Sequence, residues 1–168
     1  MTELNVAIGI LGNAGIKGSD AGTSLKQMLL QLTGPSDKAA DAMQALFYAA
    51  KGNAGQEGEL TGAIRGTNKE RAAALTSLQK LNPQLKNGGD IAYDASGKMR
   101  SLKDILALTA AGTKNMTAEQ KNLYLTQIFG SDATRSVIAL MNAGPGAFDK
   151  MTKSVTKQGS AQALADAK

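Results

Sequence analysis

Apolar residues recur along most of this chain at three- and four-residue intervals, and Gly, Pro or small polar residues interrupt them at regular points. Leu4, Ile8 and Leu11 have helical spacing, and Gly12 is positioned to end that helix. Gly15 and Gly18 punctuate a tight loop, after which Ser19 can cap a second helix carrying Leu25, Met28, Leu29 and Leu32 on one face. Gly34 and Pro35 stop it. Ser36 then caps a third helix, whose stripe is Ala39, Ala40, Met43, Leu46 and Phe47. Three short helices in succession predict antiparallel or angled neighbours.

The pattern changes at Lys51-Gly52-Asn53-Ala54-Gly55-Gln56-Glu57-Gly58, where glycine density favours a loop. An amphipathic segment over 68–81 follows, with Ala74, Leu75, Leu78 and Leu81 on one side, ended by Asn82-Pro83. Beyond Asn87-Gly88-Gly89-Asp90, two short extended pieces, Ile91-Ala92-Tyr93 and Lys98-Met99-Arg100, flank an Asp94-Ala95-Ser96-Gly97 turn. They predict a small β-hairpin, which needs helices to pack against. Ser101 and Asp104 resemble a capping box that opens a helix with Leu102, Ile105, Leu106 and Leu108, stopped near Gly112. Thr117 and Gln120 repeat that signal before Leu123, Tyr124, Gln127 and Ile128. Gly130 breaks this helix, and Ser131 or Asp132 starts the next, with Val137, Ile138 and Met141 facing inward. Gly144-Pro145 interrupts again before Phe148, Met151 and Val155. The expected fold class is all-α, a multi-helix domain of short helices with one small β-hairpin.

Composition refines this picture. The chain has 168 residues, enough for a domain that buries about 70% of its unfolded surface. Only 4% of residues are aromatic and Trp is absent, so the core must use Leu, Ile, Ala and seven Met, and modest stability is expected. The absence of both Cys and His removes thiolate and imidazole chemistry and the usual zinc or haem ligands. No apolar run reaches the roughly 20 residues needed to span a bilayer. The start, Met1-Thr2-Glu3-Leu4-Asn5, lacks the basic and apolar regions of a secretory signal. A net charge of +5 raises the question of nucleic acid. The lysines are dispersed among acids, however, and few aromatics could stack on bases, so an ordinary basic surface is the better reading.

The candidate chemistry is thin. The stretch from Gly12 to Ser19 superficially resembles a phosphate-binding loop, but Lys17 stands where the second Gly belongs and no buried strand precedes it. Asp90, Asp94, Ser96 and Gly97 hint at a calcium loop, yet the closing bidentate Glu is missing. Glu57 and Glu59 lie in a Gly-rich stretch that fixes no separation between them. There is no Gly-x-Ser-x-Gly elbow. These readings give no catalytic residue, no metal ligand and no cofactor, and the chain is not expected to be an enzyme.

Four ordered blocks carry more information. Ala14 to Ser19, which includes Gly15, Ile16, Lys17 and Gly18, is followed by Gly22-Thr23, Met28-Leu29 and Pro35. Later come Asp94, Gly97, Met99, Leu102 and Asp104-Ile105-Leu106, then Ile128-Phe129-Gly130, then Ala139-Leu140-Met141-Asn142-Ala143-Gly144. In that order the chain resembles the core region of phage tail tape measure proteins over roughly residues 5–46 and 91–155. The departure is residues 47–90, where a Gly-rich loop and a helix intervene. The resemblance divides the chain into a first half of the helical core (1–46), this insertion (47–90), the hairpin and second half (91–158) and a truncated Ala-rich tail (159–168), all within a longer polypeptide.

The resemblance implies a structural virion protein of the tail lumen, present in the host bacterial cytoplasm during assembly. It further implies roles in tail assembly, tail-length determination and DNA delivery. The implied partners are tail-tube, tail-tip or tail-assembly proteins, with self-association a further option, no specific nucleic acid and no membrane span. The helices over 123–141 are expected to supply apolar contact surface. A basic nucleic-acid-binding module and a tail-associated cell-wall hydrolase are the alternatives.

Overall fold

In the computed structural model, residues 2–16, 18–51, 62–81 and 89–166 are described. Complete helices among them are α1 (Thr2–Asn13), α2 (Gly18–Thr33), α3 (Asp37–Lys51), α4 (Asn68–Leu81), α5 (Leu102–Gly112), α6 (Ala118–Phe129) and α7 (Ser131–Asp166). Residues 62–65 are helical as well. The Gly-rich stretch from Gly52 to Gly58, the acids Glu57 and Glu59, the breakers Asn82-Pro83 and Asn87-Gly88, and Lys17 lie outside the described residues.

The caps show why the helices begin and end where they do. Ser36 Oγ accepts the Ala39 N–H at 3.2 Å at the start of α3, and Ser101 Oγ accepts that of Asp104 at 3.1 Å at the start of α5. Thr117 and Gln120 form a complete capping box, with Gln120 N–H on Thr117 Oγ1 at 3.2 Å and Thr117 N–H on Gln120 Oε1 at 3.0 Å. α7 is bent where the sequence predicted a stop. Gly144 leaves helical geometry at φ 74 and ψ 170, and Pro145 follows it.

One buried cluster runs from Val6 through Phe148 and includes side chains from every complete helix. α7 packs against α1, α2, α5 and α6, while α3 packs against α4, α5 and α6. α5 and α6 therefore form a middle layer between α3 and α7. Small residues permit the close approaches. A Cβ added to Gly9 would lie 3.2 Å from Met151 Sδ and Cε, which fixes how near α1 comes to α7. The polar residues Thr109 on α5 and Thr113 at its C-cap are buried, and each hydroxyl donates to the carbonyl four residues earlier.

Two expectations need correction. The hairpin over 91–100 does not form. Among the described residues there is no strand, only an isolated antiparallel bridge between Tyr93 and Met99. The cause is competition for backbone donors. Asp90 Oδ1 takes the N–H groups of Ala92 and Tyr93 at 2.6 and 2.8 Å, and Asp94 Oδ1 takes those of Ser96 and Lys98 at 2.9 and 3.0 Å. Across the bridge the Arg100 and Asp94 amides do reach Ala92 O and Lys98 O, but the return donors of a ladder, the Ala92 and Lys98 amides, are held by aspartates instead. The apolar spacing of Leu4, Ile8 and Leu11 is the second, since of the three only Leu11 lies on the buried face of α1. Val6, Ala7, Ile10 and Leu11 are buried, whereas Leu4 and Ile8 are exposed. α1 is apolar around much of its circumference, so spacing alone left its inward face ambiguous.

Candidate interaction surface

The motif residues of the sequence stand mostly at helix ends and do not converge on one site. Gly15, at φ 81, closes α1 in a left-handed turn. Its N–H bonds Gly12 O at 3.1 Å, and the next N–H, that of Ile16, reaches back to Leu11 O at 2.9 Å. This paired arrangement is a Schellman motif, and Ile16 is buried as its apolar partner. The stretch from Gly12 to Ile16 is thus a helix-ending turn. Gly18 opens α2, where Ser19 had been the expected cap, and Pro35 sits between α2 and α3. Gly130 caps α6 with its N–H on Thr126 O at 3.0 Å, and Phe129 before it is fully buried.

Two long-range contacts join the early and late blocks. Glu3 Oε2 accepts the Leu102 N–H at 3.1 Å, placing a carboxylate from α1 at the N-terminus of α5. Ser24 Oγ donates to Asp132 O at 3.4 Å, and Gln27 lies beside Gly130, so α2 rests on the α6–α7 junction.

The loop before α5 is organised by its charged side chains. Asp94 Oδ1 also accepts the Ser96 hydroxyl at 2.6 Å. This contact, with the Lys98 and Ser96 amides, holds the Asp94 carboxyl below its usual range. Arg100 donates from Nε to Asp90 O at 3.1 Å and stands 5.4 Å from the centre of the Phe47 ring, a cation–π placement. Gly97, at φ 78, completes the turn, Met99 is half-buried and Leu102 is buried. The carboxylates here serve the backbone. Among the described residues no three acidic side chains are grouped to hold a metal ion. No described helix is long and apolar enough to cross a membrane.

The apolar surface lies away from the expected place. On α6 and the first part of α7, Tyr124, Leu125, Ile128, Phe129, Val137 and Leu140 are buried, and Leu123, Ile138 and Met141 pack against the core. That surface is consumed internally. Exposed large apolar side chains occur instead on α1 and α2, with Leu4 at 39%, Ile8 at 40% and Leu30 at 54% exposure, and at Leu81 on α4. An open groove of about 310 Å³ is lined by Leu4 from α1 and by Gly22, Lys26, Leu29, Leu30 and Thr33 from α2. Gly22 gives it a notch, because no atom lies within 4 Å of where a Cβ would stand. In the sequence Leu4 and Ile8 are part of a helical spacing; Lys26, Gln27 and Thr33, three or four residues from Leu30 along α2, were the available sign that this part of the helix faces outward.

Comparison with known proteins agrees with the ordered motifs. A family model described as "Phage-related minor tail protein" matches residues 1–130, a range that includes residues 47–90. The chain is 28% identical over 167 residues to a protein described as "Tape measure protein" from Pneumococcus phage Dp-1. That alignment covers 99% of this chain and 11% of the relative. No solved structure matches.

Proposed function

This chain belongs to the phage-related minor tail protein family and is related to tape measure proteins, and from that premise we propose that it is a helical interaction domain of a tape measure protein. The observation that carries the reading is the exposed apolar groove between α1 and α2, on a chain whose polar side chains cap and brace its own backbone. Apolar surface in a groove of this kind is a feature of binding surfaces. The domain acts by contact, docking to a tail-tube, tail-tip or tail-assembly protein in the host cytoplasm and remaining in the tail lumen of the virion. Through the longer polypeptide it contributes to tail assembly, tail-length determination and DNA delivery.

The test uses a phage carrying the full-length protein. Deleting this domain, or changing Leu4 and Leu30 together to Ser, is expected to give absent or misassembled tails under the electron microscope. A different outcome is expected of a segment that only measures length. If all 168 residues ran as extended helix at about 1.5 Å per residue, deletion would shorten otherwise normal tails by roughly 250 Å. Tails of that kind, or unchanged tails with full infectivity, would rule the proposal out.

A further inference from the structure

Gly22, Lys26, Leu29 and Thr33 line the groove at successive spacings of four, three and four residues along α2. That spacing puts them on one face of α2, a seam along which a second helix can lie. The seam has three features a helical occupant would need. Leu29 and Leu30 supply apolar contact and Leu4 forms the opposite wall. Gly22 leaves an open notch inside a helix, where glycine is costly and where no contact within the chain requires it. Lys26 is the only charged residue lining the groove. The ion pairs among the described residues are Arg65–Glu119, Arg71–Asp41 and Lys103–Asp149, so Lys26 takes part in none.

Charge decides between occupants. No groove-lining residue is acidic. A second copy laid on the same seam therefore sets Lys26 against its own counterpart when parallel, or against Leu29 when antiparallel. Neither pairing supplies a carboxylate, and the first is repulsive. Resting on the interaction-domain reading above, we propose that the α1–α2 groove receives an amphipathic helix from a different protein. Its apolar stripe seats a branched side chain in the Gly22 notch, and a Glu or Asp beside that stripe meets Lys26.

The experiment titrates the 168-residue chain with two synthetic helical peptides that carry the same Leu/Ala stripe over two heptads. One has Glu at the position facing Lys26, and the other has Lys there. The Glu peptide is expected to bind more tightly and to shift the amide resonances of residues 22–33. K26E should reverse the preference, changing each affinity about fivefold, as a rim ion pair allows. Gly22→Leu should abolish binding while keeping the circular dichroism of a folded chain and not lowering its melting temperature. Absence of binding by either peptide to a folded chain would overturn the proposal. So would equal affinity for both peptides, or a wild-type dimer in sedimentation that Leu30→Glu dissociates, which would assign the groove to a second copy. Any of these results leaves the tail phenotype of the domain deletion to stand or fall separately.

Discussion

Gly112 of α5 abuts the backbone of Leu46 in α3, and a Cβ at Gly112 would stand 2.6 Å from the Leu46 carbonyl oxygen. The obstacle is main chain, which cannot rotate aside as a side chain can. Gly112→Ala is therefore expected to separate α3 from α5 and to destabilise the chain by about 1–3 kcal/mol.

The same substitution at Gly22 should have the opposite sign. Nothing lies within 4 Å of its missing Cβ, and the residue is inside a helix. Gly22→Ala should stabilise by up to about 1 kcal/mol, or raise the melting temperature by roughly 2–4 °C. Thermal unfolding of the two variants side by side provides the check. Two rises or two falls would contradict the packing described.

Arg71 of α4 is 8% exposed at its side chain and donates from Nε to Asp41 of α3 at 2.7 Å, with Asp41 28% exposed. Removing the carboxylate leaves a largely buried guanidinium facing a gap. Asp41→Ala is expected to cost about 1–3 kcal/mol in urea unfolding. Glu119→Ala breaks the exposed pair with Arg65 and should cost much less. Equal costs would mean that the Arg71 pair does not fasten α4 to α3.

Residues with strong local physics made much of this fold legible in advance. Thr117 and Gln120 announced α6 because both halves of a capping box are local, and Ser101 announced α5 through its equally local bond to the Asp104 N–H. Gly144-Pro145 marked the bend of α7 through backbone geometry alone. The hairpin failed because pairing across Tyr93 and Met99 competed with Asp90 and Asp94 for the Ala92 and Lys98 amides, a contest that spacing does not reveal. The groove was illegible for another reason. Which side of α1 faces inward depends on its contact with α7 through Gly9 and Met151, far apart in sequence. The motif blocks pointed to the family; several of their glycines proved to be turns and caps, while Gly22 and Leu29, inside α2, line the groove.

Two hydrogen-bonded carboxylates give the chain an acid limit. Ser96 and the Lys98 amide hold Asp94 below its usual 3.8, and the Thr67 amide and hydroxyl hold Glu70 below its usual 4.5. A carboxylate depressed in the folded state stabilises fully above its unfolded value, and that contribution is lost as pH falls through the folded one. Melting temperature should therefore be insensitive to these two groups above about pH 5 and should fall below about pH 4. An Asp94→Asn, Glu70→Gln double variant should start lower at neutral pH and show a shallower acid slope. An unchanged slope would place the acid sensitivity elsewhere.

The contact between Glu3 and the Leu102 N–H spans 99 residues of sequence, from the first turn of α1 to the first residue of α5. Ser101 supplies its own oxygen to Asp104 N–H, so Glu3 satisfies a different donor at the same helix terminus. Its carboxylate also complements the positive end of the α5 dipole. Glu3→Gln can keep the hydrogen bond and lose the charge, whereas Glu3→Ala loses both. Costs of about 0.5 and 1–1.5 kcal/mol respectively are expected. Because Leu4 follows directly and forms one wall of the groove, loosening this tie should also weaken helix binding there. Hydrogen exchange separates the two effects. Glu3→Ala should speed exchange at the Leu102 amide and along α1 while leaving α6 protected. Uniform acceleration across all helices would instead mean that the contact acts only through global stability.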